Sequence, residues 1–151
     1  MRTPGGRARP LGLALGIGLL AGAAVIARRQ LDAVEVVGES MLPELRPGDR
    51  LVVESWTFAR RAPRAGEVIL AADPRRPQRE LIKRIASVDE SGGWVQLAGD
   101  APDASTDSRV IGALPMASLR WRAVLRYWPA DRIGLIRRQQ PQRHRPQRHQ
   151  P

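Results

Sequence analysis

Two residues carry the most specific chemistry in this sequence of 151 residues. Of its 25 lysine and arginine side chains, Lys83 is the only lysine. Arginine stays protonated, whereas a buried lysine can lose its proton near neutral pH and serve as a base. Lys83 sits in Glu80-Leu81-Ile82-Lys83-Arg84-Ile85. In a strand, Leu81, Lys83 and Ile85 point to the same face, so the amine interrupts an apolar row. Desolvation there favours the neutral amine, which can take a proton from a hydroxyl. A lysine snorkelling at a strand edge fits the same pattern. The hydroxyl is that of Ser40, in Gly38-Glu39-Ser40-Met41-Leu42-Pro43. Gly38 permits a sharp turn after the apolar run Val34–Val37, which would leave the Ser40 hydroxyl and amide exposed. That placement suits a nucleophile whose own amide helps hold an oxyanion. It also suits a plain helix-capping serine.

Other chemistries are excluded by what the chain lacks. It has no cysteine, hence no disulfide, thiol nucleophile or thiolate metal site. Its histidines, His144 and His149, both lie near the C-terminus, so no Ser-His-Asp triad can form in the body. The net charge of +10 points at first to nucleic acid. However, the stretch 30–136 holds all 15 acidic side chains and an equal number of basic ones. The surplus lies in Arg2, Arg7, Arg9, Arg28 and Arg29 at the front and in five arginines from Arg137 onward. Charge that flanks an apolar segment reads as membrane topology, and no nucleic-acid partner is expected.

The elements that must position this chemistry follow from the pattern. Residues 1–10 form a basic lead. Leu11–Ala27 is apolar and uncharged; at about 1.5 Å per residue it spans roughly 25 Å, the short end for a transmembrane anchor. The charge balance across it leaves the side of the membrane open. Residues 33–134 read as one β-rich domain, with strand-like runs at Val34–Val37, Arg50–Trp56, Glu67–Ala72, Glu80–Val88, Trp94–Ala98 and Leu119–Trp128 between turn signals. In the last run Leu119, Trp121, Ala123, Leu125 and Tyr127 share a face opposite Arg120, Arg122 and Arg126. From 137 to 151 the chain contains only Gln, Pro, Arg and His, with Pro-Gln-Arg-His at 141–144 and again at 146–149, and reads as a disordered tail.

A third polar stretch is Gly99-Asp100-Ala101, running on through Ser105-Thr106-Asp107-Ser108-Arg109. Ser105 or Ser108 could orient an amine, and Asp107 with Arg109 could brace a loop; a generic surface loop has the same composition. Taken in order, three blocks resemble the signal peptidase I family of serine–lysine endopeptidases. They are Gly38–Pro43 running on to Arg46-Pro47-Gly48-Asp49-Arg50, Gly66-Glu67-Val68-Ile69 followed by Leu81-Ile82-Lys83-Arg84, and Gly99-Asp100 followed by Ser105–Arg109. The resemblance implies a mainly β catalytic domain behind a single N-terminal transmembrane helix. It implies Ser40 as nucleophile, next to Met41, with Lys83 as general base, Ser105 as a supporting hydroxyl, and Asp107 and Arg109 as a structural ion pair. No metal or organic cofactor is implied, and the partners are a protein precursor and the lipid bilayer of the cell membrane.

The chain departs from the family pattern at three points. Gly38 stands where some members have an oxyanion-holding serine, Ala101 stands where Asn is usual, and the stretch between the second and third blocks has no room for a second β-domain. Ala104–Arg109 and Arg126-Tyr127-Trp128-Pro129 resemble the subgroup of nickel-type superoxide dismutase maturation proteases, which implies removal of an N-terminal propeptide from a dismutase precursor. General cleavage of signal peptides from exported preproteins is the alternative. A self-cleaving repressor-type peptidase, which also uses serine and lysine, fits the N-terminal apolar run poorly.

Overall fold

The structure is a computed structural model that describes residues 11–89, 91, 93–101 and 112–139. Helix α1 (Leu11–Gln30) comes first, and its last turn carries Arg28 and Arg29. It leads directly into β1 (Leu31–Glu35), followed by β2 (Arg50–Glu54), a short helix α2 (Trp56–Arg60), β3 (Val68–Asp73), β4 (Arg76–Asp89), β5 (Trp94–Ala98), β6 (Ala113–Pro115), β7 (Trp121–Trp128) and β8 (Gly134–Leu135). The strands form one sheet in the order β1-β2-β7-β3-β4-β5-β6, with β8 added beside β7. Every pairing is antiparallel.

The strand runs expected from periodicity are present with shifted ends. The first strand ends at Glu35, before Val36 and Val37. The second gives way at Ser55 to α2, so Trp56 is helical. The short edge strands β6 and β8 were not anticipated, because runs of 3 and 2 residues carry no periodic signal. Among the described residues no helix is long and apolar enough to cross a membrane, so a spanning helix rests on the sequence run Leu11–Ala27.

Two apolar clusters cover the sheet. One gathers Val36, Met41, Leu45, Leu51, Val53, Val68 and Ala123, with Trp121 and Ile136 packed against it. The other gathers Ile69, Ala71, Ile85, Val95, Leu97, Leu114 and Leu119. Strand β3 supplies both, Val68 to the first and Ile69 to the second, because neighbouring side chains of a strand point to opposite faces. Strand β7 bears Arg122 and Arg126. Its arginine face is not left to solvent: the Arg122 and Arg126 side chains are 29% and 15% exposed and bind carboxylates.

Candidate active site

Ser40 lies on an irregular loop between β1 and β2. Strand β1 cannot run straight into β2, so residues 36–49 form a closed excursion tied at its neck. The Val36 amide donates to the Asp49 carbonyl at 2.9 Å, and the Gly48 amide to the Val36 carbonyl at 2.8 Å. Gly48 takes φ +86°, a backbone state that side-chain-bearing residues rarely adopt. Inside the excursion, Leu42 N–H bonds the Glu39 carbonyl at 3.0 Å and Leu45 N–H the Met41 carbonyl at 2.8 Å. Met41 and Leu45, 1% and 0% exposed, plug the loop into the first cluster. The side chain after Ser40 is therefore an anchor, and Ser40 itself is half-buried at the lip.

Buried charge braces the same loop from below. The Asp49 carboxylate is 1% exposed; it accepts the Arg46 amide at 2.9 Å and Arg132 Nη1 at 2.8 Å, with Arg126 Nη1 at 3.6 Å. Arg126 and Arg132 also donate to the Glu44 carbonyl, at 2.8 and 3.1 Å. Two guanidinium groups thus hold one carboxylate and one carbonyl of the Ser40 loop to the far end of β7, geometry that suits arginine's rigid fork of donors. In the sequence Asp49 falls in the first block and Arg126 on the arginine face of the last run, and neither pattern alone implies this work. The signal was there: an Asp after a Pro-Gly turn, and arginines at alternate positions of an otherwise apolar strand.

Lys83 lies within β4, where it pairs in register with Ile69 of β3. It is 3% exposed, between Leu81 at 6% and Ile85 at 0%, as the alternation predicts. One cavity of about 470 Å³ is lined by residues 34–41, including Gly38, Glu39 and Ser40, and across from them by Leu70 and residues 79–83. The structure therefore brings Ser40 and Lys83 to one cavity from elements more than forty positions apart in the chain. At Gly38 a Cβ would meet nothing within 4 Å, so the wall beside Ser40 is open there.

The next residue links both sides. Arg84, 4% exposed, forks onto Asp100 (Nε–Oδ1 2.7 Å, Nη2–Oδ2 2.5 Å) and donates through Nη1 to the Gly66 carbonyl at 2.8 Å. This fixes the Gly99–Ala101 turn, and the Ala101 amide donates to the Ser40 carbonyl at 3.1 Å. A backbone group makes this contact, so alanine in place of the usual asparagine does not remove it. Ser105, Asp107 and Arg109, assigned supporting roles by resemblance, lie outside the described residues.

A second buried charge cluster steadies the start of β3. Glu67 is 5% exposed; it binds Arg61, accepts the Arg64 amide at 2.9 Å and approaches Arg122 at 3.5 Å. Arg122 also bonds the fully buried Glu54 at 2.8 Å. Burial alone would raise the Glu67 pKa, but the Arg61 hydrogen bond, the Arg64 amide and the two positive charges outweigh it and hold the carboxyl below its usual range. The Arg61 guanidinium is raised in turn, chiefly by its hydrogen bond to Glu67. Among the described residues no group of three or more acidic or histidine side chains could hold a metal ion.

The chain is similar to several known proteins. The family profile described as "Signal peptidase, peptidase S26" matches residues 11–89. The mitochondrial ATP-independent inner membrane protease subunit 1a of Arabidopsis thaliana is 32% identical over 128 aligned positions, covering 71% of this chain and 76% of the relative. The mitochondrial inner membrane protease subunit 1 of Xenopus tropicalis is 30% identical over 124 positions, covering 70% and 74%. Signal peptidase I of Leptolyngbya laminosa is 28% identical over 145 positions, covering 68% and 71%.

Proposed function

Since the chain belongs to the signal peptidase, peptidase S26, family and is a serine-type endopeptidase, we propose that Ser40 and Lys83 are its catalytic pair and that it removes an N-terminal segment from a precursor protein at a membrane. The observation that carries the assignment is that a half-buried serine and the chain's single lysine, 3% exposed, line one cavity. A lysine amine, once deprotonated, can act as a base. The Ser40 hydroxyl attacks the scissile carbonyl while Lys83 takes its proton. The Ser40 amide stabilises the oxyanion. The lysinium protonates the leaving amine, and Lys83 then activates the water that releases the acyl-enzyme. Ser105 orients the amine and Asp107 with Arg109 braces its loop; these roles rest on the resemblance. The uncharged part of α1 anchors the enzyme to the bilayer, a reading supported by the run Leu11–Ala27 and by Ile17, Leu19 and Val25 exposed at 59%, 69% and 52%.

The substrate we favour is a nickel-type superoxide dismutase precursor, on the resemblance of Ala104–Arg109 and Arg126–Pro129. The relatives named signal peptidase I favour the second reading, cleavage of signal peptides from exported preproteins. Co-expression with each precursor, followed by mass spectrometry of the mature N-termini, separates the two. Trimming of the dismutase alone, lost in Ser40→Ala and Lys83→Arg, is the expected result. Trimming of the preprotein moves the substrate to the second reading, and trimming that survives in both variants removes the catalytic pair.

A further inference from the structure

The chain does not leave the domain at the end of β8. Ile136 packs on the cluster that holds Met41 and Leu45, and its amide donates to the Val124 carbonyl at 3.0 Å. The next three residues, whose composition assigns them to the tail, are bound to the body. The Arg137 carbonyl accepts Arg84 Nη1 at 3.2 Å. Arg138 Nε donates to the Ala65 carbonyl at 2.7 Å. Gln139 Nε2 donates to Glu44 Oε2 at 3.1 Å. Gly66, at φ +90°, permits this approach: a Cβ there would come within 2.0 Å of the Gln139 carbonyl oxygen. The segment thus touches the residue that follows Lys83, the glycine whose carbonyl Arg84 holds, and a side chain of the Ser40 loop. It does not line the cavity.

We propose that Ile136–Gln139 is a positioning strap that sets the Ser40 loop against the Lys83 strand, so that it governs turnover without contacting substrate. This rests on the assignment of Ser40 and Lys83 as the catalytic pair. A buried guanidinium already forked onto Asp100 has donors left over, and the Arg137 carbonyl takes one of them, which fixes the guanidinium plane at the root of the Gly99–Ala101 turn. The Gln139 contact reaches the Ser40 loop through Glu44. Small displacements between reacting groups are costly: a misplacement of about 1 Å can cost on the order of 100-fold in rate.

The test compares the full chain, a chain ended after Gln139, a chain ended after Ile136, and Gln139→Ala. Each is assayed on a peptide with small residues on the acyl side of the scissile bond, with Ser40→Ala as control. Ending after Gln139 leaves kcat and KM unchanged. Ending after Ile136 lowers kcat by about 10- to 100-fold with KM little altered, and Gln139→Ala lowers it about fivefold. A rise in KM at constant kcat would place the strap in the substrate site, and an unchanged kcat in both variants would remove the strap's role; either overturns the proposal. A purely structural segment would lower thermal stability and active fraction together and leave the rate per active site intact, which also overturns it. Because Lys83 is the only lysine, selective ¹³C-lysine labelling gives one side-chain signal, a readout that needs no substrate. That signal moves on ending the chain after Ile136 and stays on ending it after Gln139. Activity retained in Ser40→Ala would instead sink the catalytic-pair reading, leaving the lysine signal to judge the strap.

Discussion

The two residues of the proposed catalytic pair are held by opposite means. Lys83 sits in the middle of a 14-residue strand, paired with Ile69 of β3 and one residue before the pairing with β5 begins at Arg84. Its position is set by ladder hydrogen bonds that any residue would make and by Leu81 and Ile85 on either side of it. Ser40 sits in an excursion with no ladder of its own, shaped by Gly48, by Met41 and Leu45 driven into the core, and by Asp49, Arg126 and Arg132. The lysine is placed by sheet geometry, the serine by a few specific side chains. The backbone of the strand is thus fixed by its ladder, whereas the loop depends on side chains such as Leu45 and Asp49 that do not line the cavity.

The sharpest break of this contrast is a pair of variants. Lys83→Met removes the proposed base but keeps an unbranched side chain of similar length between Leu81 and Ile85, and leaves the backbone ladder of β4 intact. Cleavage should vanish, with a smaller loss of thermal stability than in the loop variant that follows. Asp49→Ala leaves two partly buried guanidinium groups without their carboxylate and should cost about 3–5 kcal/mol, read in denaturant unfolding, with activity falling further than the folded fraction. If Asp49→Ala were as mild as Lys83→Met, the loop would not depend on its charged brace.

A smaller effect sharpens the strand side of the comparison. Glu67 ties the start of β3 to β4, since its carbonyl accepts the Ile85 amide at 2.8 Å. Its carboxyl titrates below its usual range in the native state, so the folded form binds that proton less readily than the unfolded chain. Glu67 thus contributes stability that is complete above the ordinary glutamate value of about 4.3. That contribution is lost as pH falls toward and through the depressed native value. Glu67→Gln should lower stability at neutral pH and flatten the acid limb of a stability–pH curve; an acid limb of unchanged slope would exclude this group as its source.

The smallest predicted effect concerns the loop wall. Gly38 has open space where a Cβ would go and no positive φ, so Gly38→Ser should fold normally. If its hydroxyl reaches the oxyanion, kcat should rise, by less than the roughly 100-fold that removal of a fully formed donor costs elsewhere. A drop in activity would mean that the open wall serves substrate entry.

Much of this was readable in the sequence because it depends on local order. The alternation around Lys83 placed it on a buried apolar face, and β4 bears this out at 3% exposure. The turn after Val34–Val37 was legible from Gly38, although the strand ends two residues earlier than the apolar run, at Glu35. The alternation of the arginines before and along β7 was legible, but a sequence pattern cannot show that Asp49, Glu54 and Glu67 meet Arg122 and Arg126. The same limit hid Arg137–Gln139 inside a low-complexity run, since a carbonyl and a glutamine amide have no compositional signature.

By itself, then, the sequence determined which groups could do the chemistry, since a single lysine, no cysteine and no histidine in the body leave few bases to choose from. It also determined which face of β4 the lysine takes, because side-chain direction in a strand alternates with covalent order. Only the tertiary structure decided that Ser40 and Lys83 share a cavity, that Arg84, Asp100 and the Ala101 amide connect them, and that the chain's later residues return to fasten both. Those contacts join residues 16 to 95 positions apart, and closure over such distances is set by packing of the whole sheet, which local sequence pattern does not encode.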